Sequence, residues 1–181
     1  QKTAYEIRLS LVGSVGIDKK DAREIDLTLG YNTGGFNVSV TDYWFSYHKE
    51  DGGYTGDYFK YGAHSTIHIF EATLGYDFGP LALSWNTYFA GDDYTKENGD
   101  RAYSTYVGIS APFKLGGLDW SAEVGLTPWE GAYANKFNVT NLTLKAEKEI
   151  KFTNSFSLPT FAQVTFNPHT QGAYFVFGVS F

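Results

Sequence analysis

The side chains of this chain that could carry chemistry include two closely spaced histidines near its middle. His64 and His68 are four residues apart, and Glu50 and Asp51 lie nearby in sequence. Imidazole and carboxylate groups are common ligands of divalent metals, so this group is a candidate metal site. The spacing is not diagnostic, and solvated loop histidines are the simpler interpretation.

A hydrolytic pair is the second candidate. His68 is close in sequence to Ser65 and Glu71, which permits an acid/base pair of the kind that membrane-barrel hydrolases use. The residues around it form no recognised catalytic signature. We therefore expect no catalytic, metal-binding or cofactor-binding residue, and keep a membrane-barrel hydrolase as an alternative.

Composition excludes several classes of protein. The 181 residues carry a formal net charge of −6 and no cysteine. The missing thiols exclude disulfides and Cys-based zinc sites, and the acidic balance argues against nucleic acid as a partner. At this length we expect a single domain over residues 1–181.

The elements that must position any site are strands. Ten segments alternate between apolar and polar residues, which is the period of a β-strand. Most are about 9–11 residues long, enough for a tilted strand to cross a bilayer. They cover residues 5–12, 24–31, 36–41, 70–78, 81–89, 103–111, 118–126, 141–147, 157–166 and 173–181.

The connections between these segments alternate in length. Short, turn-like stretches cover residues 32–35, 78–80, 114–117 and 151–154, and long polar stretches cover 13–22, 48–66, 91–100 and 128–136. Outer-membrane barrels have tight periplasmic turns and long extracellular loops. The pattern predicts an up-and-down barrel with both termini at the tight-turn end.

The last segment resembles the C-terminal strand of bacterial outer-membrane barrels. Ala173, Phe175, Phe177, Val179 and the terminal Phe181 share one face. This likeness implies a transmembrane β-barrel in the bacterial outer membrane, with its lipids as partners.

The two predicted faces differ in size as well as polarity. The apolar set is bulky, whereas the polar set is rich in glycine and serine, including Gly30, Gly75, Gly108, Gly125 and Ser84. Crowding inside a narrow barrel selects small residues, so we expect the polar set to point inward and the bulky set to meet lipid. A soluble lipocalin-type ligand-binding barrel, with the faces reversed, is the alternative.

Charged residues on the predicted inward face form the candidate lumen. We expect Arg8 and Lys145 to pair with neighbouring carboxylates and close the lumen, because buried charges need partners. An open polar pathway is the other interpretation. The candidates are Glu6, Arg8, Glu24, Asp26, Glu71, Glu123, Lys145 and Glu147.

Four stretches of the chain carry a likeness to a known family: residues 40–45 (VTDYWF), 69–76 (IFEATLGY), 142–159 and the tail from Phe166. They resemble segments of the TorF-type family of porin-like outer-membrane proteins, whose function is unproven. The likeness covers roughly residues 23–181 and implies a porin-like barrel. Such proteins begin with a further strand pair, so the resemblance implies twelve strands if that pair is missing here.

Aromatic residues lie where the predicted strands meet the loops. The 48–66 loop holds Tyr54, Tyr58, Phe59 and Tyr61, which either form an adhesive surface for a glycan or protein partner or pack the loop onto the barrel rim. Asp42 and Lys148 interrupt the outward face near strand ends. Six aromatics are predicted at the membrane interface: Tyr43, Trp44, Tyr47, Trp85, Trp129 and Tyr133.

The sequence therefore predicts an all-β, antiparallel, up-and-down transmembrane barrel of about ten strands. Its polar lumen is mostly filled. It acts either as a narrow porin-like channel or as a structural and partner-binding barrel.

Overall fold

A computed structural model describes residues 5–16, 22–47, 49–50 and 53–179 of the chain. The expectations that rest on Phe181, His48 and Asp51 lie outside these residues. A search of the described part finds no helix long and apolar enough to cross a membrane.

The described residues form one sheet of ten strands in chain order, and each strand pairs antiparallel with the next. The prediction of an all-β, up-and-down arrangement of ten strands is confirmed. The strands are β1 (Tyr5–Val15), β2 (Arg23–Thr33), β3 (Phe36–Ser46), β4 (His68–Asp77), β5 (Ala82–Gly91), β6 (Thr105–Leu115), β7 (Leu118–Thr127), β8 (Asn138–Lys151), β9 (Ser157–Asn167) and β10 (Gly172–Val179).

The connections follow the predicted alternation, with one exception. At one end of the sheet the strands are joined by turns at residues 34–35, 78–81, 116–117 and 152–156. At the other end lie the longer connections, of which 47–67 is the longest. The β9–β10 connection, residues 168–171, lies at that same end but has only four residues, so the alternation is not strict.

The sheet has two chemically distinct faces. Across β1 to β4, Arg8, Gly30, Ser39 and Thr73 occupy one row of the register, and we call their side of the sheet the polar face. The next row, which includes Leu29, belongs to the opposite side, the apolar face. Glycine, threonine and carboxylate positions on the polar face are among the most buried in the chain, whereas large apolar side chains on the other face are exposed.

The sheet is not closed. Strands β1 and β10 are its two edges, and the ladders of the described residues do not join them. Most residues of both edge strands are exposed on either face. The ten strands of the predicted barrel are therefore present in the predicted order, but they do not form a closed barrel.

Glycines on the polar face make room for neighbouring rings. An added Cβ at Gly125 would lie 2.0 Å from the Tyr106 hydroxyl, and one at Gly108 would lie 2.7 Å from Ser84 Oγ. The Tyr106 ring thus lies directly over β7. At Gly125 the missing side chain is therefore required by a specific ring, and at Gly108 it is required by the Ser84 hydroxyl.

Gly125→Ala should destabilise the sheet by about 1–3 kcal/mol, because the methyl group forces the Tyr106 ring out of its position. Gly13→Ala is the matched control in another strand, since an added Cβ there meets nothing within 4 Å. Urea titration followed by tryptophan fluorescence measures both. Equal stability of the two variants would contradict this account.

Candidate functional site

All eight candidate lumen residues lie on the polar face, but in different surroundings. Glu6 and Arg8 are exposed on the edge strand β1. Glu24 and Asp26 are half-buried neighbours on β2, Glu71 is buried on β4, and Glu123 is half-buried on β7. Lys145 and Glu147 lie two residues apart on β8.

Four tyrosine rings form a continuous row on this face, which we call the tyrosine belt: Tyr43, Tyr88, Tyr133 and Tyr106. The ring centroids of Tyr43 and Tyr88 are 6.4 Å apart, those of Tyr88 and Tyr133 are 5.9 Å apart, and those of Tyr133 and Tyr106 are 5.8 Å apart. These spacings are those of favourable aromatic pairs. The belt joins β3, β5 and β6 through a residue of the β7–β8 loop.

A carboxylate is held at each end of the belt. Tyr43 donates a hydrogen bond to Glu71 Oε1 over 3.0 Å. At the other end, Tyr106 donates to Glu123 Oε1 over 2.5 Å, and Asn141 Nδ2 donates to the same oxygen over 3.0 Å. Hydroxyl and amide groups, rather than cations, therefore stabilise these two carboxylates.

The β7–β8 loop places Tyr133 in the belt through a buried serine. Ser104 Oγ accepts a hydrogen bond from the backbone N–H of Ala132 over 2.8 Å and donates to Asp93 Oδ1 over 2.5 Å. Gly131 passes so close to Ser104 that an added Cβ would lie 2.7 Å from its hydroxyl oxygen. This backbone anchor fixes the loop independently of the tyrosine ring.

Tyr133 stays a neutral phenol under ordinary conditions. Burial is the main cause that raises its pKa far above the usual value, and the neighbouring Tyr88 adds to the effect. The ring therefore presents a hydroxyl, and no charge, to the polar face.

The predicted ion pairs are only partly formed. Lys145 Nζ lies 2.6 Å from Glu147 Oε1 and also 4.8 Å from the centre of the Phe161 ring. Among the ion pairs of the described residues, none includes Arg8. The predicted Arg8 ion pair is therefore not formed in this open sheet, in which β1 is an exposed edge.

A second polar cluster lies on the apolar face, where Asp42 pairs in register with Leu27 and Phe70. Fully buried His68 places Nδ1 2.6 Å from Asp42 Oδ1 and Nε2 2.6 Å from the Tyr58 carbonyl oxygen. A carbonyl and an ionised carboxylate both accept hydrogen bonds only. The geometry thus fits an imidazolium–carboxylate pair.

A segment of the β3–β4 loop covers this pair, and we call residues 55–61 the strap. The strap descends the outside of β3: Ser46 Oγ donates to the Thr55 carbonyl oxygen over 2.7 Å, the Tyr58 ring lies 5.5 Å from that of Trp44, and the Tyr61 hydroxyl donates to Asp42 Oδ2 over 3.1 Å. The sequence predicts the loop aromatics either as an adhesive surface or as side chains that pack the loop onto the sheet, and Tyr58 and Tyr61 pack onto the sheet. Phe59 stays exposed.

The cluster corrects the interpretation of His68 as a solvated loop histidine, because the residue is fully buried at the start of β4, and it bears on the hydrolytic and metal-site alternatives. His68 and Glu71 lie on opposite faces of β4, so the proposed acid/base pair is not formed. Both ring nitrogens of His68 already have partners, which leaves neither free to act as a base. Within the described residues, no group of three or more His, Asp or Glu side chains is arranged to hold a metal ion.

Five of the six predicted interface aromatics lie in three kinds of surroundings, and the sixth, Tyr47, is exposed. Tyr43 and Tyr133 are wrongly placed by the prediction, because both belong to the belt on the polar face. Trp44 lies beneath the strap. Trp85 and Trp129 pack together at a centroid distance of 5.9 Å, and Trp129 Nε1 donates to the Ala102 carbonyl oxygen over 3.1 Å.

The sequence did not identify the anchor of the belt. The strand period places Ser104 on the face of a predicted strand, and it places Asp93 and Gly131 only in long polar loops. Their partners are distant in sequence, so no local pattern indicated the contact. Tyr88 and Tyr106, by contrast, follow directly from the strand period.

No protein-family model, curated protein or solved structure matches this chain. Its function must therefore be inferred from its own two faces and clusters.

His68→Leu should lower the free energy of unfolding by about 3–5 kcal/mol, because Asp42 then loses its partner in a covered site. In the double variant Asp42→Leu with His68→Leu, the loss should be smaller, since an apolar pair leaves no uncompensated charge. Urea titration followed by tryptophan fluorescence compares them. A double variant less stable than His68→Leu would contradict the pairing.

Proposed function

We propose that this chain is a transmembrane β-barrel of the bacterial outer membrane whose polar face encloses a narrow, acidic passage for water and small cations. The observation that carries the proposal is the unequal burial of the two faces. The resemblance of several sequence segments to porin-like proteins agrees with this proposal.

The apolar face has the character of a lipid-facing surface. Ile7 is 72% exposed, Leu74 is 52% exposed and Leu144 is 44% exposed, and similar side chains occur on most strands. Soluble monomers rarely expose contiguous apolar patches larger than roughly a few hundred Å². Contact with hydrocarbon explains such a face, because alternate residues of a membrane barrel point at lipid.

The soluble, lipocalin-type alternative requires the opposite arrangement. In that case the bulky apolar side chains would fill the interior and the polar set would meet water. Here buried positions such as Thr41, Glu71 and Gly125 lie on the polar face, whereas buried Ser46 and His68 on the apolar face are covered by the strap. This supports the membrane orientation over the soluble one.

The two edge strands suggest how the barrel closes in a bilayer. Unpaired backbone N–H and C=O groups are costly in hydrocarbon, so a spanning sheet must have no open edge. β1 and β10 have the antiparallel sense needed to pair with each other. We include their pairing in the proposal.

The acidic passage follows from the charges on the polar face. Glu24, Asp26, Glu71 and Glu123 face it, and Lys145 is already paired with Glu147. The tyrosine belt occupies part of the cross-section and is neutral at Tyr133. Rings of carboxylates favour cations in channels, so the passage should admit small cations and exclude larger solutes.

Leu144→Arg tests the membrane part of the proposal. It should cost about 2–4 kcal/mol in bilayers because residue 144 is near the middle of β8, whereas Ile150→Arg, on the same face near the tight-turn end, should cost about 0–1 kcal/mol. Unfolding in lipid vesicles measures both. Equal effects, or a wild-type chain that is a monodisperse monomer without detergent, would contradict membrane insertion.

Tyr133→Ala tests the passage. The variant removes a ring from the belt but keeps the backbone anchor at Ser104, so single-channel conductance in planar bilayers should rise severalfold. Tyr94→Ala, which truncates an exposed tyrosine of another long loop, is the control and should not change it.

Ion selectivity gives a second measurement of the same passage. Glu71→Gln and Glu123→Gln keep their hydrogen-bond acceptors but lose charge, so each should reduce cation preference in the reversal potential. A large, steady conductance in the wild type would contradict a narrow passage. No conductance in wild type or in Tyr133→Ala would favour a purely structural barrel.

A further inference from the structure

A small cavity lies where the strap leaves the rest of the β3–β4 loop. Its volume is about 250 Å³, and its lining includes Lys49, Tyr54, Asp57, Lys60 and Ser65. Asp57 is the one acidic side chain among the described residues that line it. The function proposed above makes no use of this cavity.

Cations converge on the cavity although the chain is acidic overall. Lys49 and Lys60 line it, and the Arg23 guanidinium carbon lies 3.5 Å from the centre of the Tyr54 ring, which forms part of its wall. Among the described residues that line the cavity, two lysines outnumber the one carboxylate, and Arg23 adds a third cation beside a lining ring. Ser65 adds a hydroxyl that can donate a hydrogen bond.

The backbone around the cavity is closely fitted. Gly56 adopts a φ of 71°, and an added Cβ would lie 1.9 Å from Ile67 Cδ1, so the strap passes directly over this side chain. The Lys60 N–H donates to the Asp57 carbonyl oxygen over 3.1 Å, and the Ser65 N–H donates to that of Gly62 over 2.9 Å. These bonds close local turns, and the Thr55 N–H, which donates to the Tyr47 carbonyl oxygen over 2.8 Å, holds the start of the strap beside Tyr47, two residues before Lys49.

An exposed aromatic lies next to the cationic cavity. Phe59 is 87% exposed and packs edge-on against Tyr58 at a centroid distance of 5.1 Å. Tyr58 rests on Trp44, at the edge of the apolar face. A ligand that fits both features carries a phosphate for the cavity and acyl chains for the adjacent aromatic surface.

We propose that this cavity binds the phosphate of an anionic lipid headgroup, with the acyl chains lying along Phe59 and the apolar face. The inference rests on the proposed function, because the strap meets lipid only if the apolar face does. Lysines bind phosphate oxygens through charge-assisted hydrogen bonds. A membrane lipid fits the site better than free phosphate does, because only the lipid also has acyl chains for the adjacent apolar surface.

Native mass spectrometry of the refolded protein in detergent tests the proposal with phosphatidic acid and with diacylglycerol of the same chains. Wild type should retain phosphatidic acid in preference to diacylglycerol. Lys49→Ala with Lys60→Ala should weaken this binding by about tenfold, because two charge-assisted contacts are lost. Lys96→Ala with Lys136→Ala removes the same charge from other long loops and should bind as wild type does.

Each contrary result has a defined meaning. Equal loss in both double variants, or no preference for phosphatidic acid in wild type, overturns the headgroup site. Inorganic phosphate that displaces the lipid at equal concentration overturns lipid as the source. Insertion into vesicles is measured separately, so a chain that inserts but shows no preference contradicts this inference and leaves the proposed function intact.

Discussion

The two-residue period of a continuous antiparallel ladder is the constraint on which this structure depends. The register runs from β1 to β10 with irregularities at Phe70/Glu71 and Gly125/Leu126. The faces of one strand therefore determine which side chains of the next strand lie on the polar face and which lie on the apolar face. A slip of one residue would exchange the polar and apolar faces of every strand beyond it. The tyrosine belt, the exposed apolar surface and the covered Asp42–His68 pair all require that this register be kept.

The strand period makes much of the fold predictable from sequence, because it is local. It predicts all ten strands, the tight turns, and the positions of Tyr88 and Tyr106 on the polar face. It does not predict the contacts that depend on long loops. Tyr133 reaches the belt only because Ser104, far away in sequence, anchors Ala132. The contact between His68 and Asp42 can be predicted only from the β3–β4 register, because the two residues lie on neighbouring strands.

The polar face stabilises its acids in a way that the sequence did not indicate. Ion pairing was expected, yet Glu71 and Glu123 take hydrogen bonds from phenols, and only Glu147 has a nearby ammonium group among the eight candidates. A hydroxyl donor stabilises a carboxylate without cancelling its charge. Six of the eight candidates are acidic and two are cationic, so the polar face has an excess of acidic side chains whichever of them form pairs.

The long loops at one end of the sheet serve opposite faces. Asp42 falls on the apolar face because of the register, and a lone carboxylate there would be costly. His68 and the strap solve this problem, and in doing so they hold part of the β3–β4 loop against the outside of the sheet. The β7–β8 loop turns the other way and carries Tyr133 onto the polar face. At this end the β7–β8 loop therefore covers part of the polar face, whereas the strap lies on the outside of the sheet.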